Sequence, residues 1–339
     1  MSPARKIVLD ATPLAGAWGG VARFTQELLH GLSQSHSGFQ YETWSDQTEP
    51  KPQGWDRRWW AWGLPRRLAQ HKVALFHGTD FAVPYWGACP TVMTVHDLSP
   101  WRYPEAANRR VRERCGWLLR LRIPSYIHTP SQAIRQELIE AFGWPAERVA
   151  AIPLAASAAR QPESACPWPR PYVFYLGALE PRKNLPLLLA AAKLLWEAGQ
   201  EFDLLLAGQA RPGFQLPAHE NLHLLGALPE AQLNAFYTHA LVTVYPSLYE
   251  GFGLPVLEAM QCGSPVLASD LPVLRETGGE AAAYAPPGDA RAWRDALAAL
   301  LAHPSRRAEH RASGLAQAAK FSWAATAQAM EGLYRRAIH

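Results

Sequence analysis

Short apolar segments that each lead into a glycine-bearing or polar loop, and then into an amphipathic helix, recur along the whole chain. Strands that alternate with helices in this way form parallel sheets covered by helices on both faces. The alternation therefore predicts an α/β protein built of doubly wound sheets. The clearest apolar segments are residues 6–10, 73–77, 91–96 and 127–131 in the first half and 172–176, 202–208, 241–245 and 264–269 in the second.

A stretch without hydrophobic periodicity separates the two series of segments. Residues 154–171 are rich in Ala, Pro and Ser, a composition typical of linkers. Since a domain takes roughly 100–200 residues, the chain of 339 residues predicts two domains. We place an N-terminal domain over residues 1–160 and a C-terminal domain over residues 170–322, followed by a final helix. A ligand is expected between the two domains.

Charge and cysteine content restrict the partners and the compartment. The net charge of +4 is uneven, with +6 over residues 1–160 and −2 over residues 161–339. The N-terminal half is therefore the half expected to face an anionic partner. The four cysteines show no metal-like spacing and are typical of a reducing compartment. The sequence shows no apolar run of membrane-spanning length and no secretory signal, which predicts a cytoplasmic protein.

One strand end in the second half runs into a loop with two glycines and then into a helix. Gly251 and Gly253 have no side chain to keep a ligand away from the backbone, and Pro255 suits a first helical turn. The N–H groups of Gly253 and Leu254 would point out of the helix start, where the partial positive charge favours a phosphate. This loop, which includes Phe252, is predicted to bind an anion.

Two carboxylates bracket the predicted anion site. Glu250 precedes the glycines, and Glu258 lies eight residues further on, in the helix. A carboxylate repels a phosphate but accepts strong hydrogen bonds from hydroxyl groups, so both glutamates are expected to contact sugar hydroxyls. A phosphate with hydroxylated groups on both sides describes a nucleotide sugar. A plain helix start stabilised by two glutamates is the alternative.

Other strand ends carry further candidate residues. Arg182 and Lys183 stand together in a strand-to-helix turn, where two fixed cations neutralise a diphosphate; a solvated pair is the alternative. Gly19 and Gly20 occupy the first strand-to-helix loop, where α/β sheets bind ligands. That loop lacks the dinucleotide-binding fingerprint.

Two apolar segments of the first half end in a histidine. His96 is followed by Asp97, and His77 ends the preceding segment. Because binding sites of α/β sheets lie at the carboxyl ends of strands, His96 is predicted to contact substrate, and His77 is a weaker candidate. A structural role in the core is the alternative for both.

Two stretches of the first half combine aromatic and basic residues. Tryptophan rings at headgroup level with cations on anionic lipid are typical of membrane-surface binding, so residues 55–72 and 102–122 predict contact with an anionic membrane. Buried tryptophans beside solvated arginines are the alternative. The second stretch, with seven arginines, is predicted to be one basic amphipathic helix. Nucleic acid is not expected, since the chain has no recognised reading motif. The first stretch contains Trp55, Trp59, Trp60 and Trp62 among Arg57, Arg58, Arg66, Arg67 and Lys72.

Taken together, these residues make the chain resemble glycosyltransferase family 4, whose members have the GT-B fold. Residues 177–184, GALEPRKN, resemble that family's G-x-x-x-x-R-K-N element, and residues 250–258, EGFGLPVLE, resemble its E-x7-E motif. These specific motifs lie within residues 172–290. The first half matches more loosely, through Asp10, residues 19–23 and residues 94–97.

The resemblance implies two Rossmann-like domains that face a central cleft, with the helix 323–339 packing back on the N-terminal domain. It also implies that Arg182 and Lys183 bind the donor diphosphate. Glu250 would then contact the donor sugar, and Glu258 the ribose of the nucleotide.

In the first half, the resemblance places His96 near the reacting sugar, and Gly19 and Gly20 beside the donor phosphate and the acceptor. Members of the family transfer sugars with retention of anomeric configuration. The chain contains no Asp-x-Asp metal motif. The cations and the helix start are therefore expected to hold the diphosphate without an obligatory metal or other cofactor.

These inferences predict a retaining glycosyltransferase that moves a hexose from a nucleotide sugar to a lipid-linked or polysaccharide acceptor at the inner face of the cytoplasmic membrane. GDP-mannose is the first choice of donor, because the chain resembles mannosyltransferases of surface-polysaccharide assembly. UDP-sugars and dTDP-rhamnose stay open. The alternatives are a GT-B phosphorylase, a sugar-nucleotide isomerase and a non-catalytic sugar-nucleotide-binding protein.

Overall fold

The computed structural model describes residues 5–15, 19–35, 38–45, 58–105, 109–157 and 164–339. The chain divides into two compact units, one formed by Met1–Leu154 with Ser322–His339 and the other by Ala155–Phe321. Each unit contains a six-stranded sheet whose strand pairs are all parallel. The prediction of doubly wound parallel α/β sheets is confirmed.

In the first unit the strand order is β2-β1-β3-β4-β5-β6. The final helix belongs to this unit and packs against the first helix, where Gly31 lacks the Cβ that would meet the Trp323 carbonyl oxygen at 3.0 Å. The strands are β1 (Arg5–Asp10), β2 (Phe39–Trp44), β3 (Leu75–Gly78), β4 (Thr91–Thr94), β5 (Tyr126–Thr129) and β6 (Val149–Ala151). The helices are α1 (Gly20–Ser33), α2 (Leu64–Gln70), α3 (Ser99–Arg102), α4 (Arg109–Arg120), α5 (Gln132–Phe142) and, at the end of the chain, α12 (Trp323–Ile338).

In the second unit the strand order is β12-β11-β10-β7-β8-β9. From β7 the chain adds β8 and β9 on one side of the sheet. It then returns to place β10, β11 and β12 on the other side of β7, so the strand order reverses between β7 and β10. The strands are β7 (Tyr172–Leu176), β8 (Asp203–Ala207), β9 (Leu222–Gly226), β10 (Val242–Tyr245), β11 (Val266–Ser269) and β12 (Ala283–Ala285). The helices are α6 (Leu185–Glu197), α7 (Glu230–His239), α8 (Leu254–Gln261), α9 (Pro272–Gly278), α10 (Ala290–Ala302) and α11 (Pro304–Ala318).

The prediction of one basic helix over residues 102–122 is wrong. The short helix α3 ends at Arg102, and α4 begins at Arg109. Pro104 explains the break, because a proline disfavours the helical conformation of the residue before it, and Tyr103 has φ −126° and ψ 64°. No helix in the described parts of the chain combines the length and the apolar character that a bilayer crossing requires.

The tryptophans of the first aromatic and basic stretch have different environments. Trp59 is buried in a core cluster that includes Leu68 and Phe76, whereas Trp60 is half-buried and the side chain of Trp62 is 49% exposed. Trp59 thus has the core position of the alternative interpretation, whereas Trp62 is at the surface, and membrane contact of this stretch stays a prediction. Trp55 and Arg57 lie outside the described residues.

A buried chain of hydrogen bonds crosses the first sheet. The His77 ring bonds the Tyr334 hydroxyl through Nδ1 at 2.7 Å and Thr94 Oγ1 through Nε2 at 2.8 Å. Thr94 Oγ1 also bonds His128 Nδ1 at 3.0 Å, and His128 Nε2 bonds the Ile152 carbonyl at 2.9 Å. Because a carbonyl only accepts, His128 Nε2 must carry a proton. In neutral rings, the Thr94 hydroxyl then donates to His128 Nδ1, His77 Nε2 donates to Thr94 Oγ1, and the Tyr334 hydroxyl donates to His77 Nδ1.

These hydrogen bonds give every ring nitrogen of His77 and His128 a partner while both rings are neutral. Burial lowers the pKa of His77 well below its ordinary value and lowers the pKa of His128 to about 3. His77 is 0% exposed, so it holds α12 against β3 and β4 and has no surface for a ligand. Its weaker prediction as a substrate contact is replaced by the structural role.

Candidate active site

The reversal of strand order in the second sheet places two loops side by side. The loop after β7 carries Arg182 and Lys183, and the loop after β10 carries Glu250. In open α/β sheets, ligands bind outside the carboxyl ends of the strands at the point where the order reverses. The candidate residues of the two loops therefore lie at the part of this sheet best suited to bind a ligand.

Lys183 and Glu250 form a buried ion pair across this point. Lys183 Nζ lies 2.5 Å from Glu250 Oε1, and both side chains are 8% exposed. Nζ also donates to the Tyr245 hydroxyl at 2.8 Å. An ammonium group has three hydrogens, so Lys183 keeps one donor that has no partner among the described residues.

Arg182 lies on the outer side of the same pair. Its Nη1 donates to the Tyr249 carbonyl at 2.7 Å and lies 3.5 Å from Glu250 Oε2. Its Nη2 donates to Glu180 Oε1 at 2.8 Å. The Arg182 side chain is 21% exposed. The two cations are thus embedded in a network with two carboxylates, whereas the sequence suggested an open cationic pair.

Glu250 is charged in this network. Burial by itself raises the pKa of a carboxyl group, but Lys183 and Arg182 outweigh that effect, and the pKa of Glu250 lies below its ordinary value. Burial lowers the pKa of the Lys183 ammonium, while Glu250 opposes that change. The bonds from Nζ to Glu250 and Tyr245 favour the charged form of the lysine.

The start of α8 presents backbone donors beside Glu250. Gly253 caps the helix with φ +98°, in the left-handed region, and a Cβ there would lie 2.7 Å from Leu274 Cδ2. The N–H groups of Gly253 and Leu254 have no hydrogen-bond partner among the described residues. The Phe252 carbonyl accepts from the Thr277 hydroxyl at 2.5 Å, which fixes the loop, so the two N–H groups are held in place for an anion.

Two predicted ligand residues of this segment are buried. The Phe252 ring packs edge-to-face against Phe321 with ring centroids 5.9 Å apart, so Phe252 offers a ligand its backbone only. Glu258 is 5% exposed, and its Oε2 accepts from the Tyr237 hydroxyl at 3.0 Å. Gly251, between Glu250 and Phe252, is half-buried.

In the first unit, the predicted residues lie at the carboxyl ends of β1 and β4. His96 is half-buried, with Nε2 2.9 Å from the Thr79 carbonyl oxygen and its ring edge-to-face with Phe24 at 5.0 Å. Gly19 caps α1 in an extended conformation, and a side chain at Gly20 would meet open space. Both glycines are exposed, and local packing does not require a glycine at position 20.

Three residues of the second-unit network were not singled out in the sequence. Glu180 and Arg211 form an ion pair at 2.9 Å, and Tyr245 bonds Lys183. Glu180 lies inside the GALEPRKN segment, which was a usable signal. Arg211 lies in a loop after β8, where only the strand-end position pointed to it.

The network can hold an anionic group and polarise a neighbouring hydroxylated one. The free Lys183 hydrogen, the Arg182 guanidinium and the α8 N–H groups supply donors for an anion. The charged Glu250 supplies an acceptor for hydroxyl groups. No group of three or more His, Cys, Asp or Glu side chains is arranged to hold a metal ion in the part of the chain that the structure describes.

Two family models match the chain. The model described as Glycosyltransferase Family 4 matches residues 18–160, and the model described as Glycosyl transferases group 1 matches residues 160–317. The second match contains every residue of the network around Lys183 and Glu250.

Two curated relatives are mannosyltransferases by name. O-antigen chain mannosyltransferase B of Escherichia coli is 36% identical over 285 residues, which cover 76% of this chain and 74% of that protein. Serotype-specific mannosyltransferase WbdA of Escherichia coli is 33% identical over 272 residues, which cover 72% of this chain and 33% of that protein. The chain thus spans about a third of the length of WbdA.

Solved structures match over nearly the whole chain. Sucrose-phosphate synthase from Thermosynechococcus elongatus matches with a TM-score of 0.77 at 21% identity, over 98% of each chain. HepE of Anabaena, in complex with UDP-glucose, matches with a TM-score of 0.72 at 18% identity, over 98% of this chain and 99% of that chain. With the two parallel sheets, this likeness confirms the predicted GT-B fold.

Proposed function

Because the chain belongs to glycosyltransferase family 4, and is thus a nucleotide-sugar-dependent hexosyltransferase, we propose that it transfers mannose from GDP-mannose to a polysaccharide or lipid-linked acceptor. The names of its two Escherichia coli relatives support mannose as the sugar. The observation that supports the donor site is the buried Lys183–Glu250 pair beside the open start of α8.

The diphosphate of the donor is proposed to bind at Arg182, Lys183 and the α8 N–H groups. Negative charge grows on the diphosphate as the bond between the sugar and the phosphate breaks. Fixed donors that face this charge stabilise the transition state more than the ground state. We expect these protein groups to do so without an obligatory metal ion.

Glu250 is proposed to hold a hydroxyl group of the transferred sugar. Its two oxygens already face Lys183 and Arg182. Because these cations stabilise the negative charge of the carboxylate, they make it a weaker nucleophile. A role as a hydrogen-bond acceptor therefore fits better than a role as a nucleophile. We propose front-face attack. The acceptor oxygen bonds to the anomeric carbon as the phosphate departs, and the acceptor proton passes to the departing phosphate, so configuration is retained.

Three further roles complete the proposal. Glu258 is proposed to contact the ribose, and Gly19 and Gly20 to border the acceptor. The role of His96 at the reacting sugar stays a prediction.

A membrane-facing patch is proposed on the first unit. The exposed rings of Trp62 and Trp86 pack edge-to-face at 5.9 Å, and Tyr85, next in sequence to Trp86, packs on the exposed Trp117 at 5.6 Å. Leu121, 55% exposed, follows on the same chain segment as Trp117. We call these five residues the aromatic patch.

Exposed arginines lie on α4, the helix that also carries Trp117 of the aromatic patch. Arg109, Arg110 and Arg120 are exposed on this helix, and the first half of the chain carries the excess positive charge. Exposed tryptophans beside arginines favour an anionic lipid surface, because the rings bury apolar area at the headgroups and each cation adds about 1 kcal/mol of attraction. The proposal places the protein on an anionic membrane surface when it meets a lipid-linked acceptor.

Thermal unfolding in the presence of nucleotides tests the donor site. A ligand that binds only the folded protein raises the melting temperature. GDP and GDP-mannose are expected to raise it for the wild type and for Arg170→Ala, whose ion pair with Asp203 lies at the start of β8. Arg182→Ala is expected to lose most of this response.

The outcome separates the alternatives. A response to UDP or dTDP in place of GDP would change the nucleotide but keep the site. A response to inorganic phosphate and to no nucleotide would contradict the proposal and favour a phosphorylase. Binding of a nucleotide sugar without any turnover would favour a non-catalytic binding protein.

A further inference from the structure

The loop after β8 is attached to the loop after β7. Leu179 and Ala210 form a parallel β-bridge, and the Arg211 N–H donates to the Leu179 carbonyl at 2.9 Å. The two loops approach so closely that a Cβ on Gly208 would lie 2.0 Å from the Gly177 carbonyl oxygen. The position of Arg211 relative to the GALEPRKN segment is therefore set by backbone contacts.

One carboxylate bridges two guanidinium groups at this junction. Glu180 is 6% exposed. Its Oε1 accepts from Arg182 Nη2 at 2.8 Å, and its Oε2 lies 2.9 Å from Arg211 Nε. A buried carboxylate shared in this way allows two like charges to remain close to each other.

The contact between Arg211 and Glu180 lies at Nε. The Arg211 side chain is 59% exposed, and its two terminal amino groups have no partner among the described residues. The terminal amino groups therefore remain available to a ligand. A guanidinium presents parallel N–H groups in the geometry that suits two phosphate oxygens.

The net charge of the network also supports a role for Arg211. Arg182 and Lys183 are offset by Glu180 and Glu250, so the pair inferred from the sequence presents no net charge to a diphosphate. With Arg211 the network carries a net charge of +1. The network thus has a net positive charge for a diphosphate only when Arg211 is part of it.

We propose that Arg211 binds the diphosphate of the donor through its terminal amino groups, and that Glu180 is the positioning residue that holds it. This inference rests on the proposed function of the same site. The competing explanation is a surface ion pair, since an exposed arginine beside a carboxylate contributes little by itself.

The same unit offers a matched control. Arg170, with a side chain 49% exposed, lies 3.0 Å from the buried carboxylate of Asp203. Asp203 begins β8, whereas Arg211 follows the end of that strand. Arg170→Ala therefore removes an arginine of similar exposure, paired with a buried carboxylate, from the edge of the sheet opposite the proposed site.

The test compares the affinities of guanosine and GDP for the full-length protein by titration calorimetry at low salt. Arg211→Ala is expected to weaken GDP binding by about ten- to a hundredfold, the range for a hydrogen bond to a charged group, and to leave guanosine binding unchanged. Arg170→Ala is expected to bind both ligands like the wild type. Glu180→Gln, which keeps Arg211 but loosens it, is expected to fall between Arg211→Ala and the wild type for GDP.

Each other result has a distinct meaning. If wild type and Arg211→Ala bind GDP equally, Arg211 is a surface ion pair and this inference is overturned, while the proposed function stands. Equal losses for GDP and guanosine would overturn the phosphate contact, because they point to the base or to the fold. If the wild type binds no nucleoside diphosphate, the proposed function fails, and this inference fails with it. Arg211→Lys keeps the charge but lacks the parallel N–H groups of the guanidinium. It should recover part of the GDP affinity that Arg211→Ala loses, even if the alanine variant is poorly folded.

Discussion

Lys183 and Glu250, 67 positions apart in the sequence, form an ion pair of 2.5 Å inside the second unit. The pair joins the loops after β7 and β10, between which the strand order of the sheet reverses. Each residue belongs to a different sequence motif, so the structure links the cationic GALEPRKN segment to the EGFGLPVLE segment. The proposed donor site depends on this link.

The buried pair predicts strong coupling between its two members. Lys183→Met leaves a buried carboxylate without its main partner and is expected to cost about 3–5 kcal/mol of the free energy of unfolding. Adding Glu250→Gln removes that charge, so the double variant should regain most of the loss. Both variants should lack transferase activity, because neither has the cation. Urea unfolding measures the coupling, and simple additivity of the two single changes would contradict it.

The left-handed conformation of Gly253 predicts a combined effect on stability and donor binding. Gly253→Ala introduces both an unfavourable φ and a contact at 2.7 Å with Leu274, for an expected loss of about 2–4 kcal/mol. It should also raise the KM for the donor, since the Leu254 N–H shifts. Gly199→Ala, at φ +81° with open space around it, should cost about 1–2 kcal/mol and leave KM unchanged. Equal effects of the two variants would count against the role of the α8 start.

The neutral histidines of the first unit predict that stability falls in mild acid. The pKa of His128 is about 3 in the folded protein and near 6.5 in the unfolded chain. Below about pH 6.5 the unfolded chain therefore binds a proton that the folded protein does not, and the free energy of unfolding falls as the pH drops toward 3. Urea unfolding between about pH 7.5 and pH 5, above the range of ordinary carboxyl groups, measures this slope.

Two variants assign that slope to its source. His128→Gln should reduce it, because glutamine does not titrate, and His77 should account for the remainder. His30→Gln, at an exposed position of α1, should leave it unchanged. A wild-type free energy of unfolding that stays level over this range would show that the buried histidines accept protons without cost.

The aromatic patch predicts binding to anionic vesicles. Trp62→Ala with Trp117→Ala should lower the vesicle partition coefficient by about tenfold or more, since each ring loses apolar area that would be buried in lipid. Leu224→Ala, an exposed apolar position of the second unit, is the control and should bind like the wild type. Sedimentation with vesicles at low salt gives the measurement. A wild type that stays in the supernatant would rule the patch out as a membrane site.

Features set by short stretches of sequence were predictable. The helix start at Gly253 and Pro255 follows from the backbone preferences of those residues. Ser131, a residue type that favours the N-cap position, caps α5 by accepting from the Ile134 N–H at 3.2 Å. Pro104 also acts locally, by disfavouring a helical conformation at Tyr103. The arginines on both sides of it nevertheless favoured the prediction of one continuous helix.

Features set by distant contacts were not predictable. His77 looked like a strand-end ligand, but its role depends on Tyr334, which reaches it from the last helix of the chain. The burial of Trp59 depends on Leu68 and Phe76 in neighbouring elements. Lys183 looked like an open cation, because nothing in its own motif shows that Glu250 lies against it. Histidine, tryptophan and lysine each occur both at the surface and, with suitable partners, in the core. Whether such a residue is buried therefore depends on contacts with residues distant in the sequence.

Release of the nucleoside diphosphate during sugar transfer tests the central claim most directly. The wild type and Glu250→Gln would be incubated with a lipid-linked saccharide extract and with GDP-mannose, UDP-glucose or dTDP-rhamnose. The released nucleotide and the anomeric configuration of the new glycosidic linkage would be determined. We expect GDP release from GDP-mannose, one hexose added with the configuration it had in the donor, and loss of both with Glu250→Gln. Undiminished transfer by Glu250→Gln, or no release from any donor that binds, would contradict the account.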